Sequence, residues 1–82
     1  MADIHELKIS PLYFDDVKKG LKNFELRKDD RDYKVGDLIR LKEYVDGEYT
    51  GRQAGLYMIN YILRDCPEYG LKEGYCILGL YS

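Results

Sequence analysis

A lysine, a glutamate and an arginine fall within six positions in Gly20-Leu21-Lys22-Asn23-Phe24-Glu25-Leu26-Arg27. Strand alternation puts Glu25 and Arg27 on one face, with Phe24 and Leu26 on the other. Two opposite charges then stand roughly 7 Å apart along that face, within reach of the flexible Lys22 from the preceding turn. Such a set is either a solvated strand edge or the floor of a polar binding site. As a site, Lys22 and Arg27 would grip a phosphate or the Watson–Crick edge of a base, and Glu25 would accept from an exocyclic amine. In an enzyme, Glu25 would be the general base and Lys22 would assist an attacking water, a role that two neighbouring cations oppose. As exposed ion pairs the same residues would contribute under about 1 kcal/mol.

Other residues could extend such a site. Arg52 follows Gly51, where the backbone can approach a ligand closely, and Arg31 lies in the charged stretch Lys28–Tyr33; both are candidate phosphate contacts. Arg31 fits better the role of solvated partner for Asp29, Asp30 or Asp32. Lys8 has the opposite parity to Leu7 and Ile9, so it either reaches the same cleft or faces water. His5 shares their parity and reads as a partly buried, satisfied histidine. Of the nine tyrosines, most read as packing, and Tyr13 and Tyr49 are the ones placed to stack on a base near the cleft.

These residues need elements to hold them. Ile4–Ile9 alternates as a short strand, and Ser10-Pro11 makes a favourable N-cap and first turn. Phe14, Val17 and Leu21 recur at helical spacing, Lys18 and Lys19 complement the carbonyl end, and Gly20 suits a left-handed C-terminal cap. The chain then leaves as the strand carrying Glu25 and Arg27. Val35-Gly36-Asp37 turns into a strand over Leu38–Val45, and Asp46-Gly47 signals a hairpin that sets Val45 opposite Glu48 and Tyr44 opposite Tyr49. The glycines of Thr50–Gly55 predict a bulge or a close backbone approach. Leu56–Leu63 reads as a strand buried on both faces or central in a barrel, Arg64–Gly74 as a loop with one helical turn, and Tyr75–Tyr81 as the last strand. This is one domain over residues 1–82, α+β but mainly β, with five or six strands and one N-terminal helix, and so small a sheet tends to curl into a barrel.

Composition removes several function classes. Charged residues make up 34% of the 82 and nearly cancel, leaving a formal charge of −2, which argues against tight non-specific binding of duplex nucleic acid. Cys66 and Cys76 form no CxxC pair, and His5 is the lone histidine, so a structural zinc site is excluded and no cofactor is expected. Two free thiols and no signal-like apolar run point to the cytoplasm. No apolar stretch approaches the roughly 18 residues needed to span a membrane.

Gly20, Lys22, Glu25 and Arg27 reproduce the GxKxxExR motif of the ASCH domain (activating signal cointegrator homology), a relative of the PUA RNA-binding fold. The strings His5-Glu6-Leu7-Lys8, Phe24–Lys28, Arg31-Asp32, Val35-Gly36-Asp37, Tyr49–Arg52 and Gly74-Tyr75 are similar to a small bacterial and phage subgroup of ASCH-like proteins. The resemblance covers essentially the whole chain. It implies a PUA-like β-barrel of five to six strands with a cleft beside the helix. The implied ligand is single-stranded RNA or a modified nucleoside, bound by Lys22, Glu25, Arg27 and Arg52, with Arg31 and Lys8 at the border. Some members hydrolyse modified nucleosides or RNA, which would make Lys22 and Glu25 catalytic here. In the amide-hydrolysing members a threonine occupies the place of Glu25, so that nucleophile is missing. A protein-interaction module, with the charges as a barrel rim, is the third expectation.

Overall fold

The computed structural model describes residues 2–82. The elements run β1 (Ile4–Ile9), α1 (Pro11–Lys18), β2 (Phe24–Lys28), β3 (Leu38–Val45), β4 (Glu48–Leu63), a 3-10 turn at Pro67–Tyr69 and β5 (Tyr75–Tyr81). They form one five-stranded mixed sheet of order β1-β3-β4-β5-β2. β1 runs parallel to β3, Ile4 beside Leu38 and Ile9 beside Glu43; the other pairings are antiparallel. Alternating burial drives the sheet. Leu7, Ile9, Ile39, Leu41, Ile59, Cys76, Leu78 and Leu80 fill one face, and Phe14 and Val17 of α1 close over it. Burying side chains of this size contributes roughly 1.5–3 kcal/mol each.

Local signals set the helix that precedes the motif. Ser10 caps it, its hydroxyl accepting from the Leu12 amide at 3.2 Å, and Pro11 opens the first turn. At the other end Gly20 takes φ +78°. Its amide donates to Val17 at 3.0 Å, and the Leu21 amide donates to Asp16 at 2.9 Å. These two bonds are the Schellman pattern, which needs a left-handed residue at Gly20. Leu21 consequently lies outside the helix and is exposed, so it does not continue the buried stripe of Phe14 and Val17.

The hairpin register is Val45–Glu48 and Tyr44–Tyr49. β4 runs unbroken through the glycine-containing segment with register shifts opposite β3. At Gly55 a Cβ would meet the Ile39 carbonyl oxygen at 2.7 Å, so the close backbone approach itself excludes a side chain. Leu56–Leu63 is not buried on both faces: Ile59 is fully buried, whereas Leu56, Met58, Tyr61 and Leu63 are exposed. Helix α1 covers a single face of the sheet, and nothing among the described residues covers the other. The tyrosines divide: Tyr33 is buried in the core, Tyr57 packs against it half-buried, Tyr44 and Tyr75 are also half-buried, and Tyr13, Tyr49, Tyr61, Tyr69 and Tyr81 are exposed.

The sheet does not close into a hydrogen-bonded barrel. Its edge strands are β1 and β2, and among the described residues no ladder joins them. Side chains span the gap instead. Arg27 of β2 donates to the main-chain carbonyl of Lys8, and Arg31 donates to that of Glu6 at 3.1 Å. No helix among the described residues is long and apolar enough to cross a membrane.

Candidate functional site

Glu25 sits on the inner side of β2 and is 5% exposed, while Phe24 and Leu26 point outward. A buried carboxylate must be paired. One oxygen, Oε1, accepts from Lys22 Nζ at 2.7 Å and the other, Oε2, from Arg27 Nε at 3.0 Å. The Schellman turn at Gly20 lets Lys22 double back over its own strand, where Nζ also donates to the Phe24 carbonyl at 2.8 Å. That ammonium stands 4.8 Å from the Phe24 ring centre and 5.4 Å from that of Tyr13.

A cleft of about 470 Å³ opens beside this trio. Its walls are Lys8, Ile9, Ser10, Tyr13, Lys22, Phe24, Glu25, Leu26 and Arg27. It lies along the open side of the sheet, floored by the end of β1 and walled by the start of α1 and by β2. An ammonium carries three donors and a guanidinium five. Lys22 uses two on Phe24 and Glu25, and Arg27 uses two on Glu25 and Lys8. What remains for a ligand on both side chains is donors alone. Glu25, with each oxygen engaged by a cation, positions Lys22 and Arg27.

The remaining sequence candidates separate. Lys8 lines the cleft and also stands over the Tyr44 ring at 4.3 Å. Arg31 sits further along the same open side on Glu6 and makes no ion pair with Asp29, Asp30 or Asp32. Arg52 does not join the cleft. It reaches Asp15 at 2.8 Å and the buried Glu43 at 3.3 Å, and lies 4.4 Å over the Phe14 ring. The reason is Glu43, which also accepts from Thr50 at 2.8 Å and draws Arg52 inward as its counter-ion. Tyr13 lines the cleft, whereas Tyr49 packs edge-on against Tyr44, centroids 5.1 Å apart. Ile9, Ser10, Phe24 and Leu26 were not foreseen as lining residues. The outward parity of Phe24 and Leu26 was visible in the sequence, but the approach of β1 to β2 was not.

A second polar cluster holds the frame. Asp37 is buried; Oδ2 accepts from His5 Nε2 at 2.9 Å and from the Lys34 amide at 3.1 Å, and Oδ1 accepts from the Asp3 amide at 3.1 Å. The bond from His5 holds its carboxyl below the usual range, with the two amides helping and burial opposing. His5 in turn packs edge-on against Tyr33 at 4.8 Å, whose hydroxyl burial pushes up. Burial likewise raises the Cys76 thiol, so it is a packing residue.

Residues 4–80 match a family model described as Domain of unknown function (DUF3850). An "Uncharacterized 12.9 kDa protein in GpA 3'region" of Escherichia phage P2 is 51% identical over 53 residues, which are 65% of this chain and 49% of that protein. The chain thus spans about half the length of that curated relative. With nearly its whole length inside the family match, the chain belongs to that domain family.

Proposed function

We propose that this member of the DUF3850 family binds a nucleotide or a short single-stranded RNA in the cleft beside Lys22 and Arg27, within the cytoplasm. The observation that carries the reading is that both cations clamp one buried carboxylate, so their spare donors are fixed before a ligand arrives. Preorganised donors lose little entropy on binding. Lys8, Lys22 and Arg27 against Glu25 leave the cleft positive although the chain as a whole carries −2. Donors without acceptors suit phosphate and keto oxygens, and the Tyr13 and Phe24 rings suit a base. The GxKxxExR spacing at a helix-to-strand junction and the curled sheet support kinship with the ASCH and PUA-like domains.

The hydrolase reading is weaker on this geometry, because a general base must reach the reacting proton and Glu25 is buried with both oxygens occupied. The test is titration of the folded protein with the four 5′-ribonucleotides and with short unstructured RNA, followed by amide NMR. Saturable shifts at Lys8, Tyr13, Phe24 and Arg27 are expected. Lys22→Ala should weaken binding roughly 10- to 100-fold and leave the fold in place. Absence of saturable binding to any of these ligands refutes the proposal.

A further inference from the structure

The two edges that face each other across the open side present an uneven set of main-chain groups. The Asp3 carbonyl accepts from Leu38 of β3. Alternation therefore turns Glu6 and Lys8 away from β3, N–H and C=O together, toward the gap. Likewise the Asn23 carbonyl accepts from Leu80 of β5, which turns Phe24 and Leu26 toward the gap from the other side. The carbonyls of Glu6, Lys8 and Phe24 are already capped, by Arg31, Arg27 and Lys22 respectively. The amides of those same residues have no such cap among the described residues. A peptide strand added to this edge would need acceptors as well as donors, and three acceptors are taken by cations.

From this we infer that the gap between β1 and β2 is a track for the phosphate backbone of a single-stranded polynucleotide, running from the Lys22 cleft past Arg27 to Arg31. The inference rests on the cleft reading above and deepens it, taking the strand's phosphates beyond the cleft to Arg31. Lys8 and Glu6, the main-chain anchors of the two arginines, are two residues apart on β1, roughly 7 Å, a spacing comparable with that of neighbouring phosphates in an unstacked strand. The flanking carboxylates do not cancel the charge. Glu6 is paired with Arg40, Asp29 with Arg64 and Asp32 with Lys34, which leaves Asp30 as the acidic neighbour of Arg31 without an ion pair among the described residues.

The experiment compares uridine 5′-monophosphate with the tetranucleotides U4 and dT4, over a range of salt, for the natural protein, Arg31→Ala and Arg31→Lys. U4 should bind more tightly than the mononucleotide, with a log–log salt slope of about −1.4 or steeper for two or more phosphates. Arg31→Ala should lower that slope by about 0.7 and leave mononucleotide binding unchanged, and Arg31→Lys should restore it. A preference for U4 over dT4 assigns RNA; equal binding assigns a track read by phosphate alone, and both support the inference. If the mononucleotide binds but U4 gains nothing, or if Arg31→Ala keeps the full slope, the track is refuted while the cleft stands. If a tetraglutamate peptide displaces U4 at equal concentration, the site is one for acidic peptides and the inference fails. Mononucleotide binding that is weakened in Lys22→Ala and kept in Arg31→Ala separates the two readings.

Discussion

Glu25 holds Lys22 at 2.7 Å across the turn that Gly20 makes, so the charge that reaches the cleft is fixed by a buried carboxylate. Removing that carboxylate strands Lys22 and Arg27, which are themselves only 17% and 23% exposed. Glu25→Ala should therefore destabilise the fold by about 3 kcal/mol, lowering the melting temperature by roughly 10–25 °C. The triple replacement Lys22→Met, Glu25→Leu, Arg27→Met should recover most of that stability while abolishing ligand binding. Thermal unfolding of the two variants checks this; a single variant as stable as the natural protein would contradict the buried-pair account.

Gly20 can be tested apart from charge. A Cβ there meets nothing within 4 Å, so any loss on Gly20→Ala is conformational and comes from φ +78°. About 1–2 kcal/mol is expected. A semisynthetic chain with D-alanine at this position should regain it, and urea unfolding of the two would show the difference.

Much of this frame is legible in the sequence because its signals are local. The Ser10-Pro11 cap, the alternation of Ile4–Ile9 and the Asp46-Gly47 hairpin each depend on a few adjacent residues, and each appears where those residues place it. The site is legible only in part. That Glu25 and Arg27 share one strand face, with Lys22 in reach from the preceding turn, follows from parity and spacing, but whether that face is wet or buried depends on the partners of β2, and the sequence names none of them. Arg52 shows the limit most clearly. Its glycine neighbour suggested a ligand loop, whereas the long-range register of β3 and β4 sets it against Glu43.

Asp37 predicts a pH dependence. Its carboxyl titrates lower in the folded state than the roughly 3.9 of an unfolded chain, chiefly because His5 donates to it. The stability it contributes is thus complete above about pH 4 and drains as pH falls through the folded-state value. Asp37→Asn should flatten the acid limb of a stability–pH curve below about pH 4. Asp37→Ala, which leaves the Asp3 and Lys34 amides and His5 without their acceptor, should lose about 3 kcal/mol at neutral pH. Chemical unfolding across pH 2.5–7 would reveal both, and an unchanged acid limb in the Asn variant would count against the cluster's role.

Tyr13 offers a test of stacking. It is 46% exposed and lines the cleft beside Lys22, so its removal disturbs little packing. Tyr13→Ala should weaken nucleotide binding by about 1–3 kcal/mol while shifting the melting temperature by only a few degrees. Tyr13→Phe should bind nearly as well as the natural protein, because the ring face does the stacking. Calorimetric titration of the two variants decides it; equal losses in both would point to the hydroxyl instead.

Arg52 separates structural charge from ligand-binding charge. Its guanidinium joins Asp15 near the surface to Glu43 in the interior, and its plane covers Phe14. Arg52→Ala leaves Glu43 with Thr50 as its remaining hydrogen-bond partner and uncovers an aromatic core residue. Because the arginine is itself 54% exposed, water can take over part of its role, and a loss of about 1–2 kcal/mol is expected. Arg52→Ala with Glu43→Gln should be less destabilised than the sum of the single changes, since the second removes the charge that the first leaves unpaired. Nucleotide affinity should stay within about twofold in all three, because the cluster lies outside the cleft and touches none of its donors; a twofold change is only about 0.4 kcal/mol. Denaturant unfolding and the same ligand titration, run side by side, would show Arg52 acting on stability alone. A tenfold affinity loss at unchanged stability would place it back among the ligand contacts.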